Sequence, residues 1–324
     1  MSSPAAKALS AIERAGIVPD PPVHRLAPGP ALHRNALVAL LHDGTDEGVR
    51  EAIGAGMAPG LAAGDFAFVL HRLPAEGGAP HLRDFLRRHR PAGVVLAPPL
   101  SGREDLAVVC GVAHVPCMRL GHAAQARYPG DPGDPGHADG ADGADGADGF
   151  ACDERRAAAD LVAWLVGQGH SRIGLVAGPE SSPGARQREL GYLDAMADNG
   201  LDRGPALIVP GDNTFPSGVE AGRLLLEISP RPTAILASND EMAAGVLHAA
   251  AQMHVAVPAQ LSVTGFDDTP LALRTLPPLT SIHVPWERMA REAVRRIVGS
   301  AAAGSPEPEF HPELVVRGSV QPPA

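Results

Sequence analysis

Residues Thr233 to Val298 constrain the fold more than any other stretch. Ala234-Ile235-Leu236-Ala237 is a short, wholly apolar run of the kind that forms a buried parallel strand. Ser238-Asn239-Asp240 ends it with residue types that cap a helix N-terminus. Met242, Val246 and Leu247 then recur on one helical face as far as Met253. Pro258 precedes a second strand, Leu261 to Phe266, which ends in Asp267-Asp268 and a proline-rich loop, Pro270 to Pro278. A third apolar segment, Leu279 to Val284, leads into a helix from about Pro285 to Val298. Short amide and carboxylate side chains thus stand at the C-terminal ends of two consecutive strands. In open α/β sheets small ligands bind at that edge.

The rest of the chain repeats the alternation. Strands are predicted at Ala36 to Leu41, Phe66 to Leu70, Ala92 to Ala97 and around Pro116, with helices at Glu47 to Met57 and His81 to His89. After Asp153 come a helix from Arg155 to Gln168, a strand from Ile173 to Ala177 and a helix from Ala185 to Met196. A short strand, Leu207 to Pro210, and a helix, Ser217 to Ile228, complete the series. Strands alternating with helices imply right-handed parallel βαβ units. His42-Asp43 ends the first strand, where polar residues would face a cleft.

Composition excludes several classes. The chain has 324 residues, a net charge of −10 and 44% apolar residues, enough for a large core and more than one lobe. No apolar run approaches the ~20 residues of a membrane span, and the N-terminus lacks a basic-then-apolar secretory layout. Cys110, Cys117 and Cys152 form no C-x-x-C pair, which predicts free thiols in a reducing compartment and no metal. Lys7 is the single lysine, so a Walker-type phosphate loop is excluded. No G-x-S-x-G, H-E-x-x-H or Rossmann glycine fingerprint occurs. Asp267 and Asp268 are adjacent on one strand end and point apart, which argues against a catalytic pair. The reading is therefore of a non-enzyme with no cofactor. Residues 128 to 149 alternate Pro, Gly and Asp and then repeat Ala-Asp-Gly four times, a composition that cannot pack a core. That stretch is expected to be a disordered insertion.

Several ordered segments carry a resemblance: Gly169-His170-Ser171-Arg172-Ile173-Gly174, Ala237-Ser238-Asn239-Asp240-Glu241-Met242-Ala243, Val257-Pro258, Leu261 to Asp268, and Pro278-Leu279-Thr280-Ser281-Ile282. In these the chain resembles the LacI/GalR family of bacterial transcription regulators. The resemblance implies two doubly wound α/β parallel-sheet subdomains around a cleft, of the periplasmic-binding-protein-like type I. The sensor would span 35–324. Its N-subdomain would be about 35–160 plus 283–308, and its C-subdomain about 161–282 plus 309–324. Arg186 to Tyr192 resembles the family's effector-arginine segment, which carries over to Arg188. The resemblance implies an effector held by Arg188, Asn239 and Asp267, with Asp240 capping or supporting. Asn213 stands where the family often has an aromatic residue, with Phe215 two positions on. His42 and Asp43 are added as cleft-lining candidates from the first half.

Residues 1–34 resemble the end of the family's headpiece and hinge, with Leu26 in the place of the intercalating leucine and Arg25 beside it. The two helices of the DNA-reading unit would precede residue 1. Pro22 and Pro28 disfavour a regular hinge helix, and four basic residues against two acidic make a weak footprint for phosphates. The expectation is a cytoplasmic regulator, a repressor-like homodimer whose sugar-like or nucleoside-like effector modulates binding to operator DNA. The alternative is a stand-alone small-molecule-binding protein without DNA-reading helices.

Overall fold

A computed structural model describes residues 37–74, 77–121, 147–299 and 308–323. The predicted headpiece remnant, including Arg25 and Leu26, lies outside the described residues.

The first lobe is built on a parallel sheet of five strands: β1 (Leu37–His42), β2 (Ala67–Arg72), β3 (Gly93–Leu96), β4 (Cys117–Leu120) and β5 (Ala147–Phe150), in the order β2-β1-β3-β4-β5. Helices α1 (Glu47–Ala63), α2 (Gly78–His89) and α3 (Glu104–Val112) connect the first four. The second lobe contains α4 (Glu154–Gly167), β6 (Ile173–Ala177), α5 (Pro183–Asp198), β7 (Ile208–Pro210), α6 (Phe215–Glu227), β8 (Ala234–Ala237), α7 (Asp240–Gln252), β9 (Ser262–Asp267), α8 (Pro270–Arg274), β10 (Thr280–His283) and β11 (Glu313–Val315), while α9 (Trp286–Ile297), between β10 and β11, returns to the first lobe. Its sheet runs β11-β10-β9-β8-β6-β7, parallel except for the β10–β11 pair. Counted from their own first strands, β1 and β6, the first sheet follows the order 2-1-3-4-5 and the second 2-1-3-4-5-6. That order reverses direction between the first and third strand, which is where ligands lodge.

The apolar runs are buried because helices cover both faces of each sheet. Every residue of β3 and β8 is buried. One core cluster joins Val38, Leu40, Val95 and Met118 of the first sheet to Leu175, Leu236, Phe266 and Ile282 of the second. Helix α9 follows β10 of the second sheet, yet its apolar face, Met289, Ala293 and Val294, belongs to the same cluster as Ile53 and Met57 of α1. Its amphipathic pattern seats it on the first lobe.

Two local expectations change. Helix α1 continues past Met57 through Pro59 to Ala63. Proline removes one hydrogen bond and crowds the preceding turn, but Ile53, Met57 and Leu61 bury one continuous face that outweighs the loss. The last Ala-Asp-Gly triplet, expected to be disordered, is a strand instead. Ala147, Asp148 and Gly149 pair in register with Cys117, Met118 and Arg119. Backbone hydrogen bonding to β4 supplies what the side chains cannot. The rest of the repeat lies outside the described residues.

Helices α6 and α7 cross without room for side chains. A Cβ on Gly218 would lie 2.3 Å from the Met242 carbonyl oxygen, and one on Gly245 would lie 2.4 Å from that of Phe215. Gly245→Ala gains helix propensity of up to ~1 kcal/mol but forces two backbones apart, at ~1–3 kcal/mol. Its melting temperature should fall by several degrees. Gly167→Ala, with nothing within 4 Å of the added carbon, should leave it unchanged or raise it.

Candidate functional site

The site assembles where polar residues end the strands. At β1, the Asp43 Oδ1 accepts from the Thr45 amide (2.9 Å) and hydroxyl (2.7 Å), which turns the chain toward α1. Asp46 then caps α1, accepting from the Val49 amide at 3.4 Å. Ser182 caps α5 at the Ala185 amide, and Asn239 caps α7 at the Met242 amide (2.9 Å).

Eight non-glycine residues have positive φ among the described residues. Asp65, Arg90, His114 and His254 lie at or just beyond the ends of α1, α2, α3 and α7, where left-handed caps are routine. The other four are Asp46 (49°), Asn213 (67°), Asp267 (95°) and Asp268 (53°). They stand at strand ends, and Asp and Asn are the side chains that best tolerate that backbone. Strain of this kind collects where side chains must be aimed.

Asp46, Val49, Pro98, Ser182, Arg188, Asn213, Asp267 and Trp286 line a gap of about 10 Å³ between the lobes. That is room for about one water, far below the ~300–1,000 Å³ of ordinary ligand pockets, so the lobes stand closed.

Arg188 is the hub. Its Nε donates to Glu154 Oε2 at 2.7 Å, Nη1 to the Ser238 carbonyl and Nη2 to Asp267 Oδ1 at 3.4 Å. Its guanidinium lies 4.3 Å above the Phe266 ring centre. The Trp286 indole donates to Asp267 Oδ1 at 3.1 Å. From the second lobe, the Asn239 amide donates to Asp46 Oδ2 at 3.2 Å and to the Asn213 carbonyl at 3.1 Å. Asp267 Oδ2 and Asn213 Oδ1 are buried with no partner among the described residues.

Burial raises the pKa of Glu154 and of Asp267, with Arg188 opposing the rise in each. Burial alone would lower that of Arg188, but Glu154 and Asp267 outweigh it and hold the guanidinium charged. Asp46 is half-buried as a residue, with its carboxyl enclosed; burial and then the Asp267 charge push it up to about 7.

Three of the predicted residues, Arg188, Asp267 and Asn213, line the gap, and Asn239 bonds to two lining residues. Asp240 lies behind them, accepting from the Thr269 amide (2.6 Å) and the Ser281 hydroxyl (2.6 Å). Its carboxylate ties β9 and β10 to α7. Phe215 does not reach the gap; its ring packs against His248 at 5.5 Å. His42 and Asp43 are also absent from the lining, because Asp43 is spent on its own turn and His42 is buried at the strand end. Sequence reading missed Asp46, Glu154 and Trp286. Each sits at a helix start just after a strand, the position where the α/β rule places ligand contacts.

Residues 162–320 match the family described as "Periplasmic binding protein-like domain". The regulator AscG of Escherichia coli is 37% identical over 171 residues, 52% of this chain and 51% of AscG. The repressor CytR of the same species is 38% identical over 172 residues, 52% and 50% respectively. The chain spans about half the length of these relatives. Among solved structures, the regulator CelR in complex with cellobiose superposes with a TM-score of 0.70 at 27% identity, over 98% of this chain and 92% of CelR. Residues 162–320 thus match a periplasmic-binding-protein-like domain, and the relatives and solved structures they resemble are LacI-family regulators. The relatives are regulators rather than enzymes, in line with the missing catalytic signatures, and the LacI-type sensor fold is the two-lobed α/β architecture described above. No described helix is long and apolar enough to cross a membrane.

Asp46 titrates near 3.8 when unfolded and near 7 in the fold. Between those values the folded chain binds the extra proton, so this contribution to stability is present below about pH 4 and lost as pH rises toward 7. Asp46→Asn keeps a side chain suited to positive φ and cannot ionise. Its stability relative to the parent should therefore increase from pH 5 to pH 8. Urea midpoints at both pH values check this, and an unchanged difference refutes the assignment.

Proposed function

We propose that the gap between the lobes is an effector site and that this chain is a LacI-family regulator, sensing a small polar molecule to regulate transcription. The observation that carries the reading is the arrangement of the two sheets. Both contain the strand order 2-1-3-4-5, and residues beside their order reversals face each other across the gap. Asp46 and Pro98 come from one lobe; Ser182, Arg188, Asn213 and Asp267 come from the other. The buried, unpartnered oxygens of Asp267 and Asn213 suit the hydroxyls of a sugar or nucleoside-like effector. The cellobiose bound to CelR is of that chemistry.

A ligand larger than the gap must part the lobes. Coupling arises because it then favours one lobe separation over another. The regulator acts as a cytoplasmic homodimer, with lobe movement altering the spacing of its DNA-reading parts. The sensor occupies 35–324, with the subdomain limits given above except that the first crossing falls before α4, near residue 151, so that the helix is not divided.

Arg188→Ala is a poor probe, because it leaves Glu154 and Asp267 buried without a counter-charge, at ~3–5 kcal/mol. Asp267→Asn and Asn213→Gly are better. The first keeps shape and the second suits the left-handed backbone. A thermal-shift screen against neutral sugars and nucleosides should give a stabilising ligand. Calorimetry with that ligand should then show binding about 10–150-fold weaker for Asp267→Asn, the worth of one hydrogen bond to a charged group, and about 2–10-fold weaker for Asn213→Gly, the worth of one to a neutral amide. Unchanged affinity in both would remove these residues from the site.

A further inference from the structure

We infer that a second cavity, between α1 and α8, is a binding site for a small organic amine with an apolar body. It is distinct from the effector gap and does not depend on that reading.

The cavity measures about 440 Å³, inside the ~300–1,000 Å³ of ordinary ligand pockets. It shares only Asp267 and Trp286 with the lining of the gap. Its walls come from both lobes and from the crossing between them. Ala52 and Ala55 belong to α1, Pro270 and Leu273 to α8, and Pro285 and Trp286 to the crossing that leads into α9. The two alanines leave the space open; a larger apolar side chain at either position would occupy it. Leu273 is 65% exposed, an apolar surface that the body of a ligand would remove from water.

The polar groups of the lining select the charge. Asp267 Oδ1 accepts from Arg188 and from the Trp286 indole, but Oδ2 is buried without a partner among the described residues. A buried acceptor in that state gains from a ligand donor. Glu51 of α1 and Glu287 of α9 also line the cavity, and neither has an ion-pair partner among the described residues.

The basic side chains of the lining favour an anion less. Arg317 and His283 flank Asp268 at 2.6 Å and 3.4 Å, so an entering anion would have to displace a carboxylate already seated between them. Arg288 carries its guanidinium over the ring of Phe310, 5.4 Å from its centre, and Phe310 is no part of the lining. The hydrogen bond to Asp268 raises the pKa of His283 against the effect of burial, and Glu313 and Glu287 add to the rise. These surroundings favour a cation. An ammonium offers three donors to carboxylate oxygens, while its apolar body lies against alanine, proline and indole.

The chain has two tryptophans, Trp164 and Trp286. Trp164→Phe therefore leaves one fluorescent reporter, on the cavity lining. The probes are 2-phenylethylamine and hexylamine, each beside its alcohol and carboxylate counterparts, titrated at pH 7 into the full chain. Both amines should give a saturable change, the alcohols should bind about fivefold weaker, the worth of one partly exposed ion pair, and the carboxylates should give no saturable response. Ala55→Leu, which fills the space from an exposed helix position, should abolish the amine response without lowering the melting temperature. Glu51→Gln with Glu287→Gln should bring amine affinity down to that of the alcohols. Silence from both amines, a carboxylate that binds as tightly as its amine, or an amine response unchanged by Ala55→Leu overturns the inference. So does a reporter signal that follows protein concentration alone, which would mean that a second copy of the chain fills the cavity. The sugar and nucleoside screen tests the gap separately, so either site can fail without the other.

Discussion

The buried guanidinium of Arg188 is the contact on which the site depends. It stands in the second turn of α5 and touches the start of α4, the end of β8 and the end of β9 through Glu154, the Ser238 carbonyl and Asp267. Without it, Glu154 and Asp267 would share a dry space as uncompensated charges. Buried ion pairs seldom add net stability, because desolvation offsets their attraction. Retaining this one makes physical sense as a device that fixes acidic oxygens in position, with one oxygen of Asp267 left free. The Phe266 ring beneath the guanidinium holds its plane from the other side.

The second constraint is the repeated strand order. A single sheet of this kind has one crevice at its order reversal. Two such sheets, joined so that their crevices face, make a gap with walls from distant parts of the sequence. The crossing of α9 from β10 to the first lobe matters here. It places Trp286 against Asp267 and packs Met289 and Val294 beside α1, so both lobes share one apolar cluster. Asp240 performs the quieter task of tying β9 and β10 to α7 through Thr269 and Ser281.

Much of this was legible in the residues. The apolar runs, the capping triplet Ser238-Asn239-Asp240 and the paired aspartates ending β9 pointed to the strand edge that now bounds the gap. Asp46 and Glu154 were not legible, because each has an ordinary local role as a helix cap or a first-turn acid. Nothing in the spacing of residues 46, 154, 188 and 267 says that they converge. Phe215, an aromatic residue close to the expected site, turned away because His248 offered its ring a packing partner. The Ala-Asp-Gly triplet at 147–149 became a strand through backbone pairing alone, which composition does not report.

The sequence by itself determined the alternation of strands and helices, the ends of those strands and the polar residues placed there. These are properties of neighbouring residues: periodicity, capping and backbone tolerance. Only the tertiary structure decided which strand ends face one another, which donors are consumed inside the protein and which acceptors remain open. Those outcomes follow from the packing of two lobes and from burial, which raises the pKa of Asp46, Glu154 and Asp267 and leaves an oxygen of Asp267 without a partner among the described residues.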